Sequence, residues 1–133
     1  MNYHSFDHGN TPPIEYLKGK EETYQPGEAL SMGADGAVTK CAATARPDYL
    51  CLGPVQSDGT VPCSRVEESI IYDAALSAAG TALKLGQKVT LSADGMEVTA
   101  TTSGGVAELV RMDGTNQGDL VGIRFPRSAG AGA

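Results

Sequence analysis

Two histidines, three cysteines and an acidic cluster are the residues of this 133-residue chain whose types could do chemistry. His4 and His8 stand four apart with Asp7 between them, a spacing that on a helix would set two imidazoles on one face for a metal ion. Gly9, Asn10 and Pro12 follow at once and argue against that helix, so the pair reads as part of a solvated or partner-contacting arm. The chain holds no further histidine, so a Ser-His-Asp or Cys-His arrangement would have to recruit the arm. Cys41, Cys51 and Cys63 are ten and twelve residues apart, with no Cys-x-x-Cys and no histidine nearby in sequence. A zinc site needs a fourth ligand and closer pairs. The three read as reduced, unbridged thiols acting as small hydrophobes in strands. Glu67, Glu68 and Asp73 could suggest acid–base work. Alternation along a strand points neighbours to opposite faces, so they read as a solvated edge. The glycines follow no strand–Gly-x-Gly-x-x-Gly–helix order, so no phosphate cradle is indicated. The expectation is a protein that is not an enzyme and carries neither metal nor cofactor.

The elements that would position any such group must be short. Seventeen glycines and seven prolines suit many brief elements joined by tight turns. With no tryptophan and two phenylalanines, the core has to be built from Val, Leu, Ile and Ala. The length fits one domain with a core of its own. Net charge is −6 with the ten basic residues scattered, which lacks the basic footprint a phosphate backbone needs, so nucleic acid is not an expected partner. No apolar run approaches the ~20 residues of a membrane-spanning helix, and Met1-Asn2-Tyr3-His4 does not read as a signal peptide. The expectation is no membrane partner and assembly in the cytoplasm.

One stretch occurs twice. Gly27–Cys41 reads G-E-A-L-S-M-G-A-D-G-A-V-T-K-C, and Gly86–Ala100 reads G-Q-K-V-T-L-S-A-D-G-M-E-V-T-A, with a one-residue slip after Ala-Asp-Gly. Asp-Gly between two alternating runs is a strong hairpin signal, because glycine takes positive φ without a Cβ clash. Asp35-Gly36 and Asp94-Gly95 are therefore placed in matching hairpin turns of two similar halves, an arrangement suited to a small barrel or sandwich.

Residues 1–25 differ from the rest. Tyr3, Phe6, Tyr16 and Tyr24, four of the chain's seven aromatics, lie here among glycines and prolines, together with Ile14 and Leu17. Such a segment reads as an extended arm that orders on a partner surface. Pro26-Gly27 opens the folded part, and Arg46-Pro47-Asp48 makes a turn. Tyr49–Leu52, Val61–Val66, Ile70–Tyr72, Val106–Met112 and Leu120–Phe125 read as strands, while Ser77–Leu83 reads as a loop or brief helix. Pro126 ends the pattern. The expected organisation is an extended N-terminal arm (1–25), an all-β barrel or sandwich of about eight or nine short strands (26–126), and a small-residue tail (127–133).

Taken together, Y-Q-P-G-E-A-L, G-A-V-T-K-C, R-P-D-Y-L-C-L-G and L-S-A-A-G-T-A-L-K-L-G-Q-K-V-T-L-S-A-D-G-M-E-V-T-A resemble the decoration, or cement, proteins of tailed-phage heads. That group includes the capsid-proximal domain of head fibre proteins. The resemblance spans about Tyr24 to Phe125 and matches Pro26, Gly27, Gly36, Pro47, Gly86 and Gly95, whose implied roles are architectural. It implies a β-rich, non-enzymatic virion protein on the outer capsid surface that cements subunit junctions. The implied partners are the major capsid protein and neighbouring copies of itself, as a homotrimer. The arm residues Tyr3, Phe6, Ile14, Tyr16, Leu17 and Tyr24 are expected to contact that partner. The competing expectation, a free β-sandwich module for a small ligand or carbohydrate, would need aromatic platforms on the folded domain. After residue 25 only Tyr49, Tyr72 and Phe125 are aromatic.

Overall fold

A computed structural model describes residues 1–6, 12–20, 23–41 and 43–127, with the side chains of residues 3–6 outside the description. Period-two alternation builds ten short strands and no helix among these residues. They are β1 (Asn2–Phe6), β2 (Ile14–Lys18), β3 (Ala29–Met32), β4 (Val38–Lys40), β5 (Tyr49–Cys51), β6 (Thr60–Arg65), β7 (Ile70–Ala75), β8 (Lys88–Val89), β9 (Ala107–Met112) and β10 (Leu120–Arg124). They form two five-stranded antiparallel sheets, ordered β1-β7-β10-β9-β8 and β2-β6-β5-β3-β4. The chain is thus all-β, as the alternation and turn glycines indicate.

The second sheet curls on itself. A parallel bridge between Gly19 and Val38 joins the end of β2 to β4, the strand at the opposite edge. The enclosed face carries Leu17, Leu30, Val38, Tyr49, Cys51, Val61 and Cys63, which pack with Tyr24 as one apolar cluster. Its outward face contributes Ala29 and Leu50 to a second cluster, shared with Ile70, Tyr72, Leu109, Ile123 and Phe125 of and beside the first sheet. The Tyr72 and Phe125 rings meet there at 5.6 Å between centroids. The wall of the small barrel therefore has a core on each side. That explains why strands such as β5 are buried at every position rather than at alternate ones.

The described stretches Asn2–Phe6 and Ile14–Lys18 of the segment expected as a separate arm are strands of these sheets. β1 pairs antiparallel with β7, and β2 pairs with β6 along its whole length. Met1 is buried, and its nitrogen donates to Gly27 O at 2.6 Å. Gly27 has φ +92, and a Cβ there would stand 2.7 Å from that nitrogen, so glycine is required. The composition of residues 1–25 concealed this because each strand finds its partner far away in sequence.

Both Ala-Asp-Gly stretches form tight turns between antiparallel segments. In the first, Gly33 N donates to Ala37 O and Asp35 Oδ1 accepts from Ala37 N. In the second, Ser92 N donates to Glu97 O and Asp94 Oδ1 accepts from Met96 N. The extra residue of the second turn is the one-residue slip in the repeat. Their places differ, however. The first turn joins β3 to β4 inside one sheet, whereas the second lies at the seam between the sheets. There Leu91 bridges Ala43 on one side and Val98 on the other, and Val98 bridges Leu76 beyond β7. Gly95 O accepts from Ala29 N at 2.8 Å, so the second turn is stitched onto the first hairpin.

Candidate docking surface

β2 owes its length to β6, whose residues Ser64 to Thr60 oppose Ile14 to Lys18 one for one. Pro62 sits in the middle of that ladder, where a missing N–H would ordinarily weaken pairing. Leu52 N donates to Pro62 O, so the donor that proline lacks would have pointed at Leu52, where β5 ends, and the β2 side is unharmed. Alternation then divides the strand. Leu17 turns inward against the barrel core, while Ile14 and Tyr16 lie outward, 55% and 63% exposed, with Tyr16 opposite Pro62. Two large apolar side chains standing on one face of a strand at the sheet edge make a surface suited to covering.

The six partner-contacting residues expected from the sequence therefore separate. Ile14 and Tyr16 are presented to solvent together. Leu17 is half-buried against the barrel core, and Tyr24 is 3% exposed inside it. Tyr24 OH donates to Val38 O at 2.6 Å and accepts from Lys20 N at 2.7 Å, so it plugs the barrel and cannot face a partner. Composition alone could not distinguish a plug from a contact residue. The side chains of Tyr3 and Phe6 lie outside the described residues, as do the tail 128–133 and the His4–Asp7–His8 cluster.

Elsewhere many of the titratable groups are engaged structurally. At the seam an open cleft of about 500 Å³ is lined by Asn2, Gln25, Asp73, Asp94 and Glu97 among others. Asp73 is ion-paired with Arg111 at 2.6 Å. The Asp94 carboxyl is held below its usual range by the Ser92 hydroxyl and the Met96 N–H. Glu68 accepts from Arg127 N on a different part of the surface, so the acidic cluster does not assemble. No group of three or more His, Cys, Asp or Glu among the described residues could hold a metal ion. The three thiols are buried and unbridged. Burial raises all three above the ordinary value, Cys63 to about 12, so they remain thiols.

Two positions escaped sequence reading. Glu28 is buried, accepts from Gln25 N at 2.9 Å and pairs with Lys40 at 3.6 Å, pinning the Pro26-Gly27 turn to the barrel. Arg46 donates to Phe125 O through Nε and Nη2. Neither has a local sequence signature, because the partner of each is set by tertiary packing.

The architecture is a curled barrel sheet backed by an open five-stranded sheet, an all-β arrangement of two antiparallel sheets. No family model and no curated protein matches the chain. Among solved structures, the fold is similar to the head fiber gp8.5 N base of bacteriophage phi29, with a TM-score of 0.59 at 19% sequence identity. The likeness covers 87% of this chain and 95% of that one.

Proposed function

We propose that this protein is a structural component of a phage virion. In this reading it binds the outer surface of the capsid and stabilises the shell at subunit junctions. The observation that carries the proposal is the fold shared with a head fiber base over nearly the whole of both chains. The exposed Ile14–Tyr16 strip supplies a surface for the major capsid protein or a neighbouring copy, with homotrimer formation as the expected assembly. Covering one such side chain contributes about 1.5–3 kcal/mol, part of which is lost to association costs. Repetition over a symmetric lattice turns modest contacts into firm attachment. A non-enzymatic role agrees with carboxylates held in ion pairs and turns and thiols held protonated. A free carbohydrate module would need aromatic platforms, but Tyr24, Tyr49, Tyr72 and Phe125 are all buried, and Tyr16 is the one exposed aromatic among the described side chains. The test is composition. Phage heads purified through a density gradient should contain this chain in a fixed ratio to the major capsid protein. Its recovery only from the soluble fraction of infected cells would refute the reading.

A further inference from the structure

We propose that Cys51 and Cys63 are a cross-strand pair that a small-molecule disulfide can convert to an intramolecular disulfide inside the barrel, leaving Cys41 out. The two residues are directly opposed in the β5–β6 ladder. The phase of that ladder fixes what kind of pair they are. Leu52 N donates to Pro62 O and Val66 N donates to Asp48 O, so the pairs 52/62 and 48/66 are the hydrogen-bonded ones. Hydrogen-bonded pairs recur every second residue, which makes 51/63 a non-hydrogen-bonded pair. Such pairs have Cα atoms about 4.5 Å apart with side chains close together, inside the roughly 4.4–6.8 Å range that a disulfide spans.

Both side chains belong to the barrel's enclosed cluster, so they share one face. The proximity of Cys51 is also one reason the Cys63 thiol is hard to ionise. Each thiol now donates to a carbonyl two residues away in the chain, Cys51 to Gly53 O at 3.0 Å and Cys63 to Val61 O at 3.3 Å. Neither bond outlasts a side-chain rotation. Cys41 lies in the other core, beyond the barrel wall, and donates to Ala45 O.

The chemistry is thiol–disulfide exchange. When β5 opens, one cysteine loses its proton to water, and its sulfur attacks the small disulfide. This displaces one small thiolate and leaves a mixed disulfide. The second cysteine, deprotonated in turn, attacks the protein sulfur of that adduct and displaces the other small thiolate. Two protein thiols are oxidised and one small disulfide is reduced to two thiols. Burial keeps the pair unreactive while the barrel is closed, so exchange proceeds through opening or during folding.

The experiment refolds the reduced protein from urea in a mixture of reduced and oxidised glutathione, alkylates the remaining thiols and maps the peptides. Expected are a fall from three free thiols to one, a Cys51–Cys63 link, alkylated Cys41, and a higher urea midpoint for the linked form. The Cys41→Ala variant should form the same link with no free thiol remaining. A folded product that retains all its thiols overturns the proposal. So does a link through Cys41, or glutathione adducts on Cys51 and Cys63 in place of the link.

Discussion

Arg111 Nη2 reaches Asp73 Oδ1 at 2.6 Å by passing over Gly122, the residue that faces both of them in the β7-β10-β9 ladder. A Cβ at Gly122 would meet Arg111 Nη1 at 2.9 Å and Arg111 Cβ at 3.1 Å. The bare backbone thus lets one guanidinium tie β9 to β7 across β10, while Arg111 Nε bonds Asp113, one residue past β9, at 2.8 Å. Asp73→Asn and Arg111→Gln in a double-mutant cycle should show a coupling of about 0.5–1 kcal/mol in urea unfolding. Gly122→Val should abolish most of that coupling by displacing the guanidinium.

Tyr24 closes the barrel through its hydroxyl as well as its ring. Tyr24→Phe keeps the packing but leaves Val38 O and Lys20 N without that partner. The expected loss is about 1–3 kcal/mol of unfolding free energy, read from the urea midpoint at unchanged slope. An unaltered midpoint would mean that the hydroxyl is not a structural link.

How much of this could be read from the chain depends on how local each signal is. The Asp35-Gly36 and Asp94-Gly95 turns announce themselves, because only the turn residues and their neighbours are involved. β6, β7, β9 and β10 are visible in the period-two placement of Val61, Cys63, Ile70, Tyr72, Leu109 and Ile123. β1 is Asn-Tyr-His-Ser-Phe, a mixed polar and aromatic string without a clear local strand signal, and it pairs with β7, far along the chain. The arm's apolar content marked Ile14, Tyr16, Leu17 and Tyr24 alike and said nothing of which stay exposed. The burial of Leu17 and Tyr24 requires knowing that Gly19 returns to Val38. The seam was hidden for the same reason: Leu91, Val98 and Leu76 bridge across sheets and not along one.

The same geometry bears on truncation. Deleting residues 1–23 removes β1 and β2, uncovers Val61 and Cys63, and leaves β6 and β7 as raw edges. The shortened chain should therefore lose its cooperative urea transition and associate through those edges. A truncated domain that remains monomeric and unfolds cooperatively would restore the view of the leader as an appended arm.

Alkaline stability follows from the thiols. Cys63 is pushed up to about 12 by burial in the folded state, against 9.0 ordinarily, and Cys41 and Cys51 are raised as well. Below pH 9 both folded and unfolded chains hold these protons. Above it the unfolded chain releases them first, so the folded state loses stability progressively towards about pH 12. The urea midpoint of the reduced protein should decline across that window, and less steeply in Cys63→Ala. Equal slopes for the two proteins would remove Cys63 as the cause.

The central proposal is attachment to a phage shell through the outward face of β2. The most direct measurement is co-sedimentation of purified protein with phage heads that lack it, comparing the natural chain with the double variant Ile14→Thr, Tyr16→Thr. Threonine keeps the strand preference while removing the exposed apolar area. The account predicts saturable binding by the natural chain and a loss of at least about tenfold in affinity for the folded variant. Equal binding by both, or none by the natural chain, would contradict it.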